Sequence, residues 1–164
     1  FIIRKEKRKR RDLAMKTIRL QKVNLDPLQK FLTGFELSPR ASRGRVTLAT
    51  LLGKKHAETV EEQKELIKTF AKKDENGELV TEVTRDAQTG EDISIFTFES
   101  DDDRDKYNQA LIELIYEDCI ILIEEYEPQM KNLLEGLLDS DQKLNEESAY
   151  LHDLICTQLE KALG

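Results

Sequence analysis

The residues best suited to bind a ligand are basic and share one predicted helix. They are Arg40, Arg43, Arg45, Lys54 and Lys55. Arg40 and Arg43 are three residues apart, so a helix presents them side by side. Gly44, next to Arg43, would permit a ligand to approach closely. Guanidinium groups at a helix N-terminus favour an anion or a protein partner. The alternative is that this segment pairs with the acidic C-terminal third of the same chain.

A second candidate site is an acidic cluster at the start of a later predicted helix, consisting of Asp101, Asp102, Asp103 and Asp105. Successive helical residues point in different directions, so only a subset could converge on a metal ion. Capping by Ser100 and the helix dipole explain the cluster without a ligand. We therefore predict neither a metal nor another cofactor. Helical carboxylates can also imitate DNA phosphates, although such faces are more often simply solvated.

Catalytic motifs are missing from the sequence, which has no P-loop, GxGxxG, GxSxG, HExxH or paired CxxC. The two histidines, His56 and His152, have no cysteine or histidine at metal-ligand spacing and no nucleophile motif beside them. The segment 74–77 does not fit a calcium loop, because its first and closing positions would be Lys72 and Val83. We therefore predict that the chain is not an enzyme.

Charge is distributed unevenly along the chain, whose net charge is −7. Residues 1–14 carry a net charge of +5 and residues 15–73 carry +7. The net charge is −6 over residues 74–98 and −13 over residues 99–164. This uneven charge distribution indicates a protein that acts through its surface.

The basic run at residues 4–11 has two interpretations. It could be a nucleic-acid-binding arm or a localisation signal. It could instead be a translated purine-rich ribosome-binding sequence ahead of Met15, where a predicted strand begins. We favour the second and expect residues 1–14 to be a non-native leader or a disordered basic tail. N-terminal mass spectrometry of the native protein tests this, and a mature chain beginning at Phe1 would contradict it.

Hydrophobic periodicity and capping signals predict the elements that position these residues. Helices are expected from Asp26-Pro27, from Ser38-Pro39 to about residue 73, from Ser100, from Pro128, and over residues 145–163. Strands are expected over Met15–Leu20 and, as a hairpin, over residues 79–84 and 93–98. Residues 119–123 are too uniformly apolar for a helix face and could form a buried strand.

The predicted fold class is α+β, mostly helical, with about five helices and a small antiparallel-containing sheet built on the hairpin at about residues 78–98 plus one or two other strands. Residues 15–164 are expected to form a single domain. No apolar run approaches the length of a membrane helix, roughly 18 residues. Cys119 and Cys156 lie in apolar patterns, which predicts core residues in a reducing cytoplasm, with a disulfide left open.

Three segments, 40–45, 70–77 and 113–118, occur in this order between Met15 and the C-terminus. Together they resemble a family of uncharacterised proteins from siphophages and prophages of Gram-positive bacteria such as streptococci and lactococci. Genes of that family commonly lie near tail and lysis genes. The resemblance implies a phage accessory or structural role and brings no active-site residues.

We therefore expect a non-enzymatic phage accessory protein that binds another protein, either tail-associated or host-directed. It would act in the host bacterial cytoplasm or in the virion, on a phage structural protein or a host defence or nuclease protein. One alternative is an anti-CRISPR-like inhibitor that blocks a nuclease by acidic mimicry. Another is a small nucleic-acid-binding protein, although direct nucleic-acid and membrane contacts are not expected. The oligomeric state is left open.

Overall fold

The computed structural model describes residues 15–164, and the predicted leader at residues 1–14 lies outside them. The helices of this range are α1 (Leu25–Gly34), α2 (Pro39–Phe70), α3 (Asp101–Ile115), α4 (Glu127–Asp139) and α5 (Glu146–Leu163). Its strands are β1 (Thr17–Gln21), β2 (Thr81–Arg85), β3 (Asp92–Phe96) and β4 (Asp118–Leu122). None of these helices is long and apolar enough to cross a membrane. The mostly helical α+β fold class is confirmed.

The described residues group into two compact units. Unit 1 comprises residues 15–56 and 118–164, and unit 2 comprises residues 57–117. Helix α2 gives its first part to unit 1 and its second part to unit 2. The single domain predicted for residues 15–164 stays a prediction.

The expected single sheet is wrong, because the four described strands form two separate antiparallel pairs. In unit 1, β1 pairs with β4, with Thr17 opposite Leu122. In unit 2, β2 pairs with β3 in the predicted hairpin, with Thr81 opposite Phe96. The two pairs differ in burial: β1 and β4 alternate between buried and outward residues, whereas every residue of β2 and β3 is exposed.

Strand β4 corresponds to the apolar run for which a buried strand is expected. Cys119 and Ile121 face the core, but Ile120 is 50% exposed and Leu122 is 56% exposed. A two-stranded sheet covered on one face explains this alternation. The run is therefore a half-buried strand and not one enclosed on both faces.

The hydrophobic core of the described residues lies in unit 1. Side chains from α1, α2, α4 and α5 pack against the inner face of the β1–β4 pair, and Leu28, Leu48, Leu133 and Ile155 are fully buried. Both cysteines are buried free thiols, which confirms them as core residues. Burial raises the pKa of the Cys156 thiol to about 11.

Three predicted helix starts are confirmed by their caps. Side-chain oxygens of Ser38, Ser100 and Asn145 each accept from the backbone N–H three residues on, at 3.4, 3.2 and 2.8 Å. The helix expected from Asp26-Pro27, with Asp26 as its cap, begins one residue earlier, because a 3-10 turn leads directly into α1 at Leu25. Asp26 lies instead in the first turn, where its carboxylate pairs with Lys30 at 2.8 Å.

Small residues allow α2 and α4 to approach closely. A Cβ on Gly44 would lie 2.3 Å from the Gln129 carbonyl oxygen, and a Cβ on Gly136 would lie 2.5 Å from the Ala41 Cβ. Both distances are far below van der Waals contact, so neither position has room for a side chain. The expected role of Gly44 in admitting a ligand beside Arg43 is thus corrected, since the α4 backbone occupies that space.

Helix α2 runs continuously from Pro39 to Phe70, as the preferred interpretation of the sequence predicts. Gly53 does not interrupt it. A Cβ at Gly53 would meet only the side-chain amide of Gln29, at 2.6 Å. That amide is the far end of a flexible side chain, which is able to move aside.

The glycines of α2 yield a matched stability test. Gly44→Ala should lower the free energy of unfolding by about 1–3 kcal/mol, because overpacking outweighs the gain in helix propensity. Gly53→Ala should leave it unchanged or raise it by up to about 1 kcal/mol. Urea unfolding followed by far-UV circular dichroism measures both. Equal stabilities of the two variants would contradict the close contact at Gly44.

Candidate functional site

The arginine groove is a surface groove of about 680 Å³ in unit 1, between the first turns of α2 and the start of α4. It is lined by Pro39, Arg40, Arg43, Glu125, Pro128, Gln129 and Asn132. Arg40 and Arg43 are both exposed. Within residues 15–164, neither guanidinium takes part in an ion pair of 4.0 Å or less. The structure therefore brings together two of the five predicted basic residues, with their charge available to a ligand.

Packing of α2 on α4 positions these two arginines. Ala41 and Gly44 lie directly after Arg40 and Arg43 and make the close contact with α4. Because the helix backbones approach so closely there, the neighbouring arginines lie beside the first turns of α4. The groove therefore depends on the same small residues as the helix contact.

The other three predicted basic residues do not line the groove. Arg45 donates to the Phe35 carbonyl oxygen and, at 2.6 Å, to Ser42 Oγ, so it ties α2 to the end of α1. Lys54 is exposed and lies about 16 Å further along the helix axis than Arg43. Lys55, the next residue of the helix, is half-buried. Arg45 has a structural role, and the partner roles predicted for the two lysines stay predictions.

Pairing between the basic half and the acidic C-terminal third occurs at other residues of unit 1. Lys16 Nζ lies 2.7 Å from Glu127 Oε1, and Lys131 lies 3.0 Å from the same oxygen. The hydrogen bonds from Lys16 first, and from Lys131 second, lower the pKa of Glu127. Arg19 and Asp118 lie 3.9 Å apart on paired strands. The alternative of internal pairing thus accounts for Lys16 and Arg19 but not for Arg40 and Arg43.

The acidic cluster of Asp101, Asp102, Asp103 and Asp105 lies in unit 2, in the first turns of α3. Asp101 pairs with Arg104 at 3.3 Å, and Asp102 pairs with Lys106 at 2.9 Å. The hydrogen bond to Asp102 raises the pKa of Lys106. Asp103 donates its backbone N–H to the Ser100 cap. Within residues 15–164, no group of three or more His, Cys, Asp or Glu side chains is arranged to hold a metal ion.

A second groove in unit 2, the acidic groove, is not anticipated by the sequence prediction. It has a volume of about 420 Å³ and is lined by Glu62, Glu65, Leu66, Ala110, Glu113, Leu114 and Glu117. The four glutamates are exposed, Leu66 and Ala110 are half-buried, and Leu114 is only 8% exposed. Carboxylates from α2 and from the end of α3 therefore surround an apolar floor.

Helical spacing is the signal that could have found this groove. Glu62 and Glu65 are three residues apart on α2 and share a helix face. Glu113 lies in the last turn of α3, and Glu117 follows two residues after that helix ends. Leu66 directly follows Glu65, and Leu114 directly follows Glu113. The consecutive acids at 101–105 attract more attention in the sequence, but consecutive residues spread around a helix and here serve the helix start.

Net charge differs strongly between the two units. Unit 2 holds 18 acidic and 7 basic side chains, a net charge of −11. The described part of unit 1 holds 13 acidic and 12 basic side chains, a net charge of −1. The acidity of the described chain therefore lies almost entirely in unit 2.

The remaining polar candidates have structural explanations. His152 Nε2 lies 2.8 Å from the Leu137 carbonyl oxygen, and its ring lies against Phe31 and Phe35 at the edge of the core. The expectation that no cysteine lies at ligand spacing from it is wrong, because Cys156 Sγ, one helical turn on, lies 3.8 Å from the same nitrogen. Asp74 Oδ1 accepts two backbone N–H groups of a turn that places Gly77 at a φ of 78°. That conformation favours glycine and identifies the segment as a plain turn.

Comparisons of the chain with models of protein families, with curated proteins and with solved structures found no match. The resemblance to a phage family therefore stays a prediction.

The different roles of the arginines lead to a stability prediction. Arg45→Ala should lower the free energy of unfolding by about 1–3 kcal/mol, because the Phe35 carbonyl loses a charged donor. Arg40→Ala should change it by no more than about 0.5 kcal/mol, since the side chain is exposed and carries no ion pair in the described structure. Urea unfolding of both variants measures the difference. An Arg40 variant as unstable as the Arg45 variant would contradict this division.

Proposed function

We propose that the protein is a non-enzymatic binding protein whose unit 2 binds a basic segment of a protein partner. The observation that supports this proposal is the acidic groove, in which four exposed glutamates surround a floor of Leu66, Ala110 and Leu114. The net charge of −11 on unit 2 gives the groove an acidic surround.

Lysine and arginine side chains match both components of the groove. Their hydrocarbon stems pack on apolar surface while their charged ends hydrogen-bond to carboxylates. One exposed ion pair contributes only about 0–1 kcal/mol, so a partner must engage several glutamates and the apolar floor together. The surrounding negative charge accelerates association with a basic protein and repels nucleic acid. The partner is therefore a protein in this proposal.

Binding is favoured over catalysis by the residue types of the groove. Its lining residues include glutamates and aliphatic side chains but no histidine, cysteine, serine or lysine. Such a set attracts a cation and lacks the side chains that most often act as an activated nucleophile or as its base.

The biological setting of the proposal rests on the resemblance to small phage proteins. The partner would be a phage structural protein, if the chain is tail-associated, or a host defence protein, if it acts in the bacterial cytoplasm. A second candidate function is inhibition of a nuclease by acidic mimicry. This second function is favoured by the 18 acidic side chains within the 61 residues of unit 2. A unit with this density of negative charge is able to occupy a DNA-binding surface.

A charge-matched pair of variants tests the acidic groove. Glu65→Gln with Glu113→Gln should weaken binding of a partner captured from infected Gram-positive cells roughly tenfold, by removing two ion pairs with the partner of about 0.7 kcal/mol each. The variant also removes the exposed pair of Glu65 with Lys68 within α2. Glu75→Gln with Glu91→Gln removes the same charge at exposed turn positions of unit 2 and should retain binding. Affinity is measured by titration with the purified partner at two salt concentrations.

The outcomes separate the two functions. A partner that retains full affinity for the Glu65/Glu113 variant, or loses it equally with the control, would refute the groove as the binding site. A partner that DNA displaces from the chain supports mimicry. Detection of the chain in purified virions by mass spectrometry supports a tail-associated role.

A further inference from the structure

We infer that the arginine groove of unit 1 is a second binding site, which takes an acidic segment of a protein. This goes beyond the proposed function, which concerns unit 2 and a ligand of opposite charge. The residues that carry the inference are Arg40 and Arg43 on α2 and Gln129 and Asn132 on α4.

Arg40 and Arg43 provide two adjacent guanidinium groups that are not used by the fold. They are exposed, three residues apart, and without an ion pair within residues 15–164. Arg45, by contrast, is committed to the Phe35 carbonyl and Ser42. A guanidinium presents parallel N–H groups that match both oxygens of a carboxylate, so two of them suit neighbouring Asp or Glu side chains.

The opposite wall of the groove has groups suited to a polypeptide backbone. Gln129 and Asn132 are three residues apart on α4, and both line the groove. Each carboxamide donates and accepts, as a peptide backbone does. Pro39 and Pro128 complete the lining with rigid apolar rings.

Glu125 discriminates between possible polyanions. It is an acidic residue among those that line the groove. Each nucleotide of a nucleic acid carries a phosphate charge and offers no backbone N–H to satisfy this acceptor. An acidic peptide carries backbone N–H groups between its carboxylates, so it is able to donate to Glu125 while its own acids meet the arginines.

The groove is preorganised by the helix contact beneath it. Gly44 and Ala41 bring α2 directly against Gln129 and Gly136 of α4, so both walls belong to packed helices. A ligand therefore does not have to order a loop on binding, which lowers the entropic cost of association.

Fluorescence anisotropy with a fluorescein-labelled hexaglutamate peptide tests the inference on the full chain near physiological salt. The basic run at residues 4–11 attracts this peptide by charge alone although the chain has a net charge of −7, so groove binding is measured as the difference between variants that share this run. We expect saturable binding that weakens roughly tenfold in Arg40→Ala with Arg43→Ala. Lys143→Ala with Lys161→Ala removes the same charge at exposed positions outside the groove and should bind within about twofold of the original chain. Residues 1–14 are identical in every variant.

Two further measurements complete the test. Arg40→Lys with Arg43→Lys keeps the charge but loses the planar fork, and should still weaken binding by roughly threefold or more. An oligothymidylate of the same net charge should bind less tightly than hexaglutamate. Absence of saturable hexaglutamate binding, equal loss in both alanine pairs, unchanged affinity of the lysine pair or tighter binding of the oligothymidylate would each overturn the inference. Far-UV circular dichroism verifies that the variants are folded.

Discussion

Close packing of α2 on α4 is the constraint on which the arrangement of unit 1 depends. The absence of side chains at Gly44 and Gly136 lets the backbone of one helix meet the other. This contact fixes where the first turns of α2 lie, and with them Arg40 and Arg43. It also connects two segments that are far apart in sequence, so the same glycines that complete the core shape the arginine groove.

The two units are stabilised in different ways. Unit 1 has an extensive apolar core shared by four helices and one face of the β1–β4 pair. Among the described residues of unit 2, the buried ones are Thr59, Ala71 and Leu114. Large hydrophobic residues such as Val83, Phe96 and Ile112 remain exposed there. An acidic surface with exposed apolar groups is typical of a region that gains stability when a partner covers it.

Local chemistry made much of the fold predictable. The caps at Ser38, Ser100 and Asn145 and the turn at Gly77 depend on neighbouring residues, so the sequence displays them directly. The pairing of β1 with β4 was not predictable, because the two strands are about a hundred residues apart and either could have joined the hairpin. The contact made by Gly44 was missed for the same reason, since its partner belongs to another helix.

The candidate sites likewise have features that residue spacing reveals and features that only tertiary contacts create. Arg40 and Arg43 are recognisable from helical spacing alone, whereas the separation of Arg45 from them depends on the Phe35 carbonyl, which the sequence does not place. The acidic groove requires α2 and α3 to be neighbours before Glu65 and Glu113 line one surface. Residue spacing predicts which side chains share a helix face, and tertiary contacts decide which faces form a site.

Helix α2 passes without a break from the core of unit 1 into the sparsely buried unit 2. Its first part carries Leu48 and Leu52, which are fully buried, whereas its second part is supported by exposed pairs such as Lys64–Glu61 and Lys68–Glu65. The free energy of local unfolding is therefore expected to fall along this helix, and amide hydrogen exchange should accelerate along it from Leu48 towards Phe70. A ligand of the second part would slow that exchange without touching the core. The backbone of the helix would then report the proposed occupancy of unit 2.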